Sequence, residues 1–482
     1  MAVASDFFND SKTLMPMPNG SDSLVGDGPV DVEARRWLKL LEVQLDAQAS
    51  KALRFDEYYR GDHPLPEMPF RSQEKATYYK RKYADLLVKS RTNWMRLVID
   101  ALGERLRVEG FRFGDTVGDE AAWTMWQANN LDAESDQVHT EALKSGTSYV
   151  SVWPTGDIPL IMPEHPSEVI VAHSPENRRL RAAALKRWKV GTTTFATVYL
   201  PGWVVKYRRG EGGDWMRREP EGEEWPLTNP LGAVPIVVFR NHPDLIRGGV
   251  SEISDVTSIQ DRINATIFGR MLAAEFTASQ KRWATGISLV EDPETGEAVP
   301  IDYDAAVDSV WMDENPEAKF GSFPEVTLAG FIRAVEADVQ HLAAITRTPP
   351  HYLLGQSGAF PSGESLKATE TGLVAKVKRQ HLHFGESWEA VIRLGFAAMN
   401  DEKSNERSAE TLWGDPESRS EGEHVDAVIK LKALDIPNEA LWERANATPQ
   451  EIKRWKTMAA TSNLFSLLGQ STAQVGEPAE TV

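Results

Sequence analysis

The chain has 482 residues, of which 41% are hydrophobic and 26% charged, an ordinary globular balance with room for about three domains that each bury a core. It contains no cysteine, which excludes disulfides and Cys-ligated zinc or iron–sulfur centres. Its net charge of −18 argues against a protein that grips a nucleic-acid backbone, although an acidic wall suits one that lets DNA slide.

In chain order, residues 1–30 are rich in Asp, Ser, Gly and Pro and lack the basic segment and apolar core of a signal peptide, so they read as a flexible arm. No apolar run reaches the length of a membrane span. Residues 31–60 predict a helix with an apolar stripe of Trp37, Leu38, Leu41, Leu45 and Leu53. "YYRGDHPLP" (58–66) breaks it with Gly and Pro. A second helix is expected from Lys82 to Leu106, along Leu86, Leu87, Trp94, Leu97, Val98 and Leu102. "RVEGFRF" (107–113) alternates like a strand, and helices follow near 118–129 and 133–145. Charge is uneven here: residues 71–112 hold eleven Lys/Arg against five Asp/Glu, whose plain reading is a solvated helix face.

Between Ser148 and Arg240 short β-type runs replace the helical period, with "RRGEGGDW" (208–215) as a hairpin turn, so the block predicts an α+β domain with a mixed or antiparallel sheet. From Ser251, a plausible N-cap, Ile253, Val256, Ile259, Ile263, Ile267, Met271 and Phe276 mark one face of a helix of about 30 residues. Residues 281–323 interrupt it with "GISLV", the turn "EDPETGE" and "AVPIDY", a small hairpin module. A second long helix carries Leu328, Phe331, Ile332, Val335, Val339, Leu342 and Ile345, and stops at Thr348 before Pro349-Pro350. A third is expected from Ser362, its candidate N-cap, to about Asn400, with Gly385 a candidate kink. Residues 401–482 predict two or three shorter helices and a polar end.

Chemistry is sparse. "GAFPSGES" (358–365) has the spacing of a phosphate-binding loop, G-x-x-x-x-G-K-[S/T], but Glu364 stands where the Lys must be. An anion there repels phosphates, and two preceding prolines spoil the strand that such a loop follows. "DYD" (302–304) is a weak carboxylate pair that reads as a solvated turn. His381 and His383 are two apart on a helix and face different ways, so they cannot share a metal. No metal site and no cofactor is expected. The 15 tryptophans are scattered singly and read as core and interface anchors. "KVKRQH" (376–381) clusters Lys376, Lys378 and Arg379, either as a solvated face or as a phosphate-tracking or inter-subunit contact.

What stands out is the architecture: two long helices flanking a small β module, then a Gly/Ser/Pro loop and a very long helix. Such a hairpin has few neighbours to bury its stripes unless they are copies of itself in a ring. The order of "FDEYYRGDHPLP" (55–66), "TNWMRLVIDALGERLRVEGFR" (92–112), "NPLGAVPIVVFRN" (229–241) and "ITRTPPHYLLG" (345–355) with its long helix resembles the portal proteins (head-to-tail connectors) of tailed double-stranded-DNA bacteriophages. The likeness covers residues 31 to about 400 and is strongest to long, non-contractile-tailed phages of actinobacterial hosts.

The resemblance implies the α+β portal fold, assembled as a ring of about twelve subunits. It divides the chain into a mixed α/β wing (31–250), stem helices (251–280 and 324–346), a β clip (281–323), a tunnel loop (347–364), a long wing helix (365–400) and a helical crown (401–482). The function it implies is a channel at one capsid vertex through which DNA enters and leaves. The expected partners are double-stranded DNA, the large terminase, a head–tail adaptor, the major capsid protein and a scaffold protein, with no membrane. The expected location is the virion, after assembly in the host cytoplasm. Within the tunnel loop, Gln356, Ser357, Gly358, Ala359, Phe360, Pro361 and Ser362 would face DNA; none is basic, which suits contact without grip. Clip docking would fall to Lys281, Arg282, Trp283, Glu291, Asp292, Glu294 and Glu297. On this reading the chain is not an enzyme. The alternative is a nucleic-acid-acting hydrolase or packaging NTPase with a degenerate phosphate loop, which ATP turnover would reveal.

Overall fold

A computed structural model describes residues 28–67, 72–114, 118–219, 225–245, 248–278, 282–286, 290–291, 298–299, 315–322, 327–354, 363–417, 421–445 and 447–459. In chain order the elements begin with α1 (Pro29–Arg60), α2 (Gln73–Lys82), α3 (Ala84–Lys89), α4 (Trp94–Gly103), β1 (Val108–Arg112), α5 (Glu120–Ala128) and α6 (Leu131–Ser145). Strands β2 (Thr147–Trp153), β3 (Leu160–Glu164), β4 (Val169–His173), β5 (Arg181–Val190), β6 (Thr193–Tyr199), β7 (Trp203–Arg209), β8 (Met216–Arg217), β9 (Leu227–Thr228) and β10 (Ile236–Arg240) follow. Then come α7 (Thr257–Ala278), β11 (Arg282–Thr285), β12 (Val290–Glu291), β13 (Ala298–Val299), β14 (Lys319–Ser322), α8 (Ala329–Thr346), α9 (Pro350–Leu354) and α10 (Gly363–Ala398). Last are β15 (Glu410–Trp413), α11 (Glu421–Lys432), α12 (Asn438–Arg444) and a helical run at 449–459.

The chain folds as two compact units, one of residues up to Asp56, Val98–Ser254 and Pro361 onward, the other of Glu57–Leu97 and Asp255–Phe360. The expected wing of 31–250 is therefore divided, because 57–97 packs with the long-helix hairpin.

The first unit is a sandwich of helices on antiparallel sheets. Strands β4, β5, β6 and β7 form a meander, with β8 and β9 both paired to β7. Ala34, Leu38, Leu41 and Leu45 of α1 recur at helical spacing and bury against Leu185, Val198, Val205 and Tyr207 of that sheet. Asp31 locks the start of α1, accepting from Tyr207 Oη (2.6 Å) and Arg217 (3.1 Å). Leu53, expected in the stripe, is 50% exposed. A second antiparallel sheet has the order β10-β2-β3. Helix α10 crosses it and buries Val377, Phe384, Trp388, Val391, Ile392 and Phe396. Trp388 lies edge-on to Trp126 and Phe239, with ring centroids 4.7 Å away in each case.

Several expectations need correction. The helix expected over 82–106 is two pieces, α3 and α4, because the residues between them bond otherwise: Ser90 Oγ donates to Leu87 O, Asn93 Oδ1 accepts from Arg96 N, and Thr92 N donates to Asn264 Oδ1 of α7. The helix expected from Ser251 starts at Thr257 and runs 22 residues. Ser251 Oγ instead accepts from Ile253 N in a preceding turn. Helix α10 continues through Gly385 without a break; the missing side chain lets Trp413 approach, for a Cβ there would sit 3.4 Å from its Nε1. Residues just after 400 do not begin a separate helical crown. Strand β15 pairs antiparallel with β1, and Thr411 Oγ1 donates to Gly385 O, so this stretch is woven into the first unit.

Candidate functional site

The hairpin of α7 and α8 is the second unit's main feature. The two helices pack against each other, and Arg262 holds Asp338 through Nε (3.0 Å) and Nη2 (2.6 Å). Gly269 gives room to Phe331, whose ring would be 3.2 Å from a Cβ at that position. Beyond the helices β11 pairs with β14 and β12 with β13, both antiparallel, which is the small hairpin module read from the sequence.

Burial along this hairpin is graded. Val256 just before α7 and Ile259, Ile263, Ile267 and Phe268 on it are buried, as are Val339, Leu342 and Ala343 on α8. Toward the β module the same stripes lose cover: Met271 and Val335 are only partly buried, and Ile332 is 45% exposed; Ile345, at the other end of α8, departs from the stripe and is 54% exposed. Apolar residues at helical spacing without cover mark a face that another surface completes.

At the packed end, α7 grips the segment between α3 and α4. Gln260 and Asn264, both fully buried, face Thr92: Asn264 Oδ1 accepts from Thr92 N (3.1 Å) and Oγ1 (2.9 Å), and Gln260 Oε1 accepts from Trp94 N (3.1 Å). Asn264 also contacts His63 Nε2, while Tyr58 stacks on the His63 ring and donates to Asp261. Burial, with Arg91 nearby, lowers the His63 pKa. Trp94 Nε1 donates to Leu353 O (3.2 Å), pinning α9, which leads directly into the glycine-rich loop. This clamp ties "GDH" and "TNW" to α7, and sequence reading missed it. The signal was a pair of amides, Gln260 and Asn264, one turn apart on an apolar face.

The expected loop residues Gln356, Ser357, Gly358, Ala359, Phe360, Pro361 and Ser362 lie outside the described residues, as do Lys281, Asp292, Glu294, Glu297 and the 302–304 carboxylates. Of the expected docking set, Arg282 and Glu291 sit in β11 and β12, and Trp283 is 39% exposed with its ring against Gly321. Helix α2 buries none of its residues and carries Lys75, Lys80, Arg81 and Lys82 outward.

The basic run on α10 divides. Lys378 and Arg379 are exposed, with Lys378 2.6 Å from Glu417. Lys376 is buried and ion-paired with Glu252, so it cannot join a surface contact. Burial would raise the Glu252 carboxyl, but His242 (2.9 Å) and Lys376 outweigh it and hold the pKa below its usual range. Gln380 completes this interior network by donating to Asn241 Oδ1 (2.6 Å). His381 stacks on Trp413, with centroids 4.6 Å apart. Among the described residues no group of three His, Cys, Asp or Glu could hold a metal, and no helix is long and apolar enough to cross a membrane.

The family model described as phage portal protein, SPP1 Gp6-like, matches residues 38–463. The chain belongs to the phage portal protein family. The portal protein of Mycobacterium phage D29 is 32% identical over 402 residues, covering 78% of this chain and 80% of the relative. That of Mycobacterium phage L5 is 31% identical over 406 residues, with the same coverage. Both relatives come from mycobacterial phages, in line with the actinobacterial expectation. A solved structure described as the neck of an empty GTA particle computed with C6 symmetry shares 11% identity at a TM-score of 0.40, over 71% of this chain and 85% of that one. That similarity is too slight to argue from. Portal proteins are structural parts of the phage particle, and nothing found favours the hydrolase alternative.

Proposed function

We propose that copies of this portal protein form a closed ring of about twelve subunits at one capsid vertex, through which double-stranded DNA is packaged and ejected. The observation that carries the ring is the hairpin of α7 and α8, whose apolar stripes are packed at one end and uncovered toward the β module. Helices α7 and α8 act as the stem, and the module at 281–323 as the clip that docks the large terminase and later the head–tail adaptor. Lys281, Arg282, Trp283, Glu291, Asp292, Glu294 and Glu297 are its docking residues. Capsid and scaffold proteins meet the ring during assembly in the host cytoplasm.

Residues 356–362 line the narrowest part of the channel. They include no Lys or Arg, so they touch moving DNA without holding it. The pinning of α9 by Trp94 supports this reading, because it fixes the base from which the loop departs. The test is Ala359→Lys with Ser362→Lys in the phage. Added cations on the loop should slow packaging or ejection and lower the yield of infectious, DNA-filled particles. Wild-type yield and infectivity would contradict a DNA-facing loop.

A further inference from the structure

Among the described residues, the first unit gathers cationic side chains of which two have no acidic partner. His173 ends β4 and lies opposite Arg181 across the β4–β5 ladder. Arg240, at the end of β10, brings its Nη2 to 3.4 Å from His173 Nδ1. Arg181 Nη1 donates to Ile236 O on the same strand β10 (3.1 Å). Arg393 on α10 lies within electrostatic reach of Arg181. All four side chains are partly buried. Among the described residues, the one carboxylate within ion-pair distance of any of them is Glu389, 3.8 Å from Arg393. Among the described residues, Arg181 and Arg240 have no acidic partner.

This is costly in a chain of net charge −18, where carboxylates are plentiful. Like charges taken partly out of water repel, and each loses solvation that only an opposite charge restores. The environment registers that cost: burial, with Arg240 and Arg181 beside it, pushes the His173 pKa down to about 4, and burial with Arg393 lowers that of Arg181 to about 10. The imidazole therefore stays neutral and offers hydrogen bonds, while the guanidiniums offer planar forks suited to a carboxylate or phosphate.

We propose that His173, Arg181, Arg240 and Arg393 form an oxyanion receptor, and that its occupant is a carboxylate side chain of a second copy of this chain. Charge complementarity favours that source. Each copy carries a large acidic excess, and a recessed site suits a single side chain better than a duplex backbone, which needs an exposed row of cations. A carboxylate inserted from a neighbour also converts copy–copy repulsion into a directional contact. The second-copy source rests on the ring reading above; the receptor itself does not.

The experiment compares wild type with Arg240→Gln as full-length protein. First, thermal unfolding is followed at concentrations where the chain is monomeric, in sodium phosphate and in sodium chloride of equal ionic strength. Phosphate should raise the wild-type Tm clearly more than the Arg240→Gln Tm. Because the variant sheds an unneutralised charge, its own Tm in chloride should equal or exceed that of wild type, which also shows that it folds. Equal phosphate responses, or a variant that is less stable in chloride, would overturn the receptor. Second, copy–copy association is measured by native mass spectrometry across concentration. Arg240→Gln should weaken it tenfold or more. Unchanged association, or loss of short-duplex DNA binding in its place, would overturn the second-copy carboxylate. A wild type that never associates would reject the ring reading, while the phosphate comparison would still decide the receptor.

Discussion

The two units bury their apolar residues in different ways. In the first, Trp126, Trp388, Phe239, Phe384 and Phe396 are all essentially inaccessible, and each has an aromatic neighbour within the same chain. In the second, the stripes of α7 and α8 are covered at one end and open at the other, and α2 buries nothing. One unit is a self-sufficient core. The other is held by a polar clamp and leaves an apolar face for a neighbour. In a portal protein that contrast separates what must fold alone from what assembly completes.

The comparison can be broken most severely at Trp388. Trp388→Ala removes a fully buried ring and leaves His139 Nε2 without its donor (2.8 Å), so the first unit should lose about 3–5 kcal/mol. Urea unfolding followed by tryptophan fluorescence would show it; a loss under about 1 kcal/mol would mean that the core is not the rigid body described.

Acid should then separate the units. Burial lowers the pKa of His139 to about 3, and those of His173 and His381 to about 4. A folded-state pKa below the unfolded value of about 6.5 gives stability that is complete above that pH and drains away as pH falls toward the folded values. Glu389 acts the other way. Burial and the nearby Glu386 raise its pKa to about 7, so its contribution is present at low pH and lost as pH rises from about 4.5 to 7. Burial raises the pKa of Glu109 and Asp136 in the same sense and lowers that of His383 with the other imidazoles; the large shifts of the imidazoles leave a net loss for the first unit between about pH 6.5 and 4. Thermal unfolding at stepped pH would check it; rising stability across that window would contradict the burial of these rings.

The smallest effect sharpens the second unit. Asn264→Ala removes the acceptor of Thr92 N and Oγ1 and the hydrogen-bond partner of His63 Nε2, at a cost of about 1–3 kcal/mol. Amide exchange at 92–94 should accelerate, with the first unit's amides unchanged. Exchange that speeds up equally throughout would mean that the clamp is not local to the second unit.

Much of this was legible in the sequence because it rests on periodicity. The stripes at Leu38, Leu41 and Leu45 and at Ile259, Ile263 and Ile267 have the helical spacing that burial confirms. The alternating runs at 148–240 became antiparallel sheets for the same reason, and the family resemblance anticipated the portal match. What escaped depends on contacts between distant residues. Gln260 and Asn264 look like ordinary polar positions until Thr92 is brought beside them. Lys376 reads as part of a basic patch until Glu252 claims it. Ser90 and Asn93 interrupt the helix by local hydrogen bonds that override a continuous apolar stripe. The joining of 57–97 to the long-helix hairpin has no local signature at all.

The most direct test of the account is the assembly mass of the full chain by native mass spectrometry, with negative-stain images of the same sample. The account predicts closed rings of about twelve subunits with a central hole. Monomers or dimers at every concentration, together with ATP hydrolysis, would contradict it.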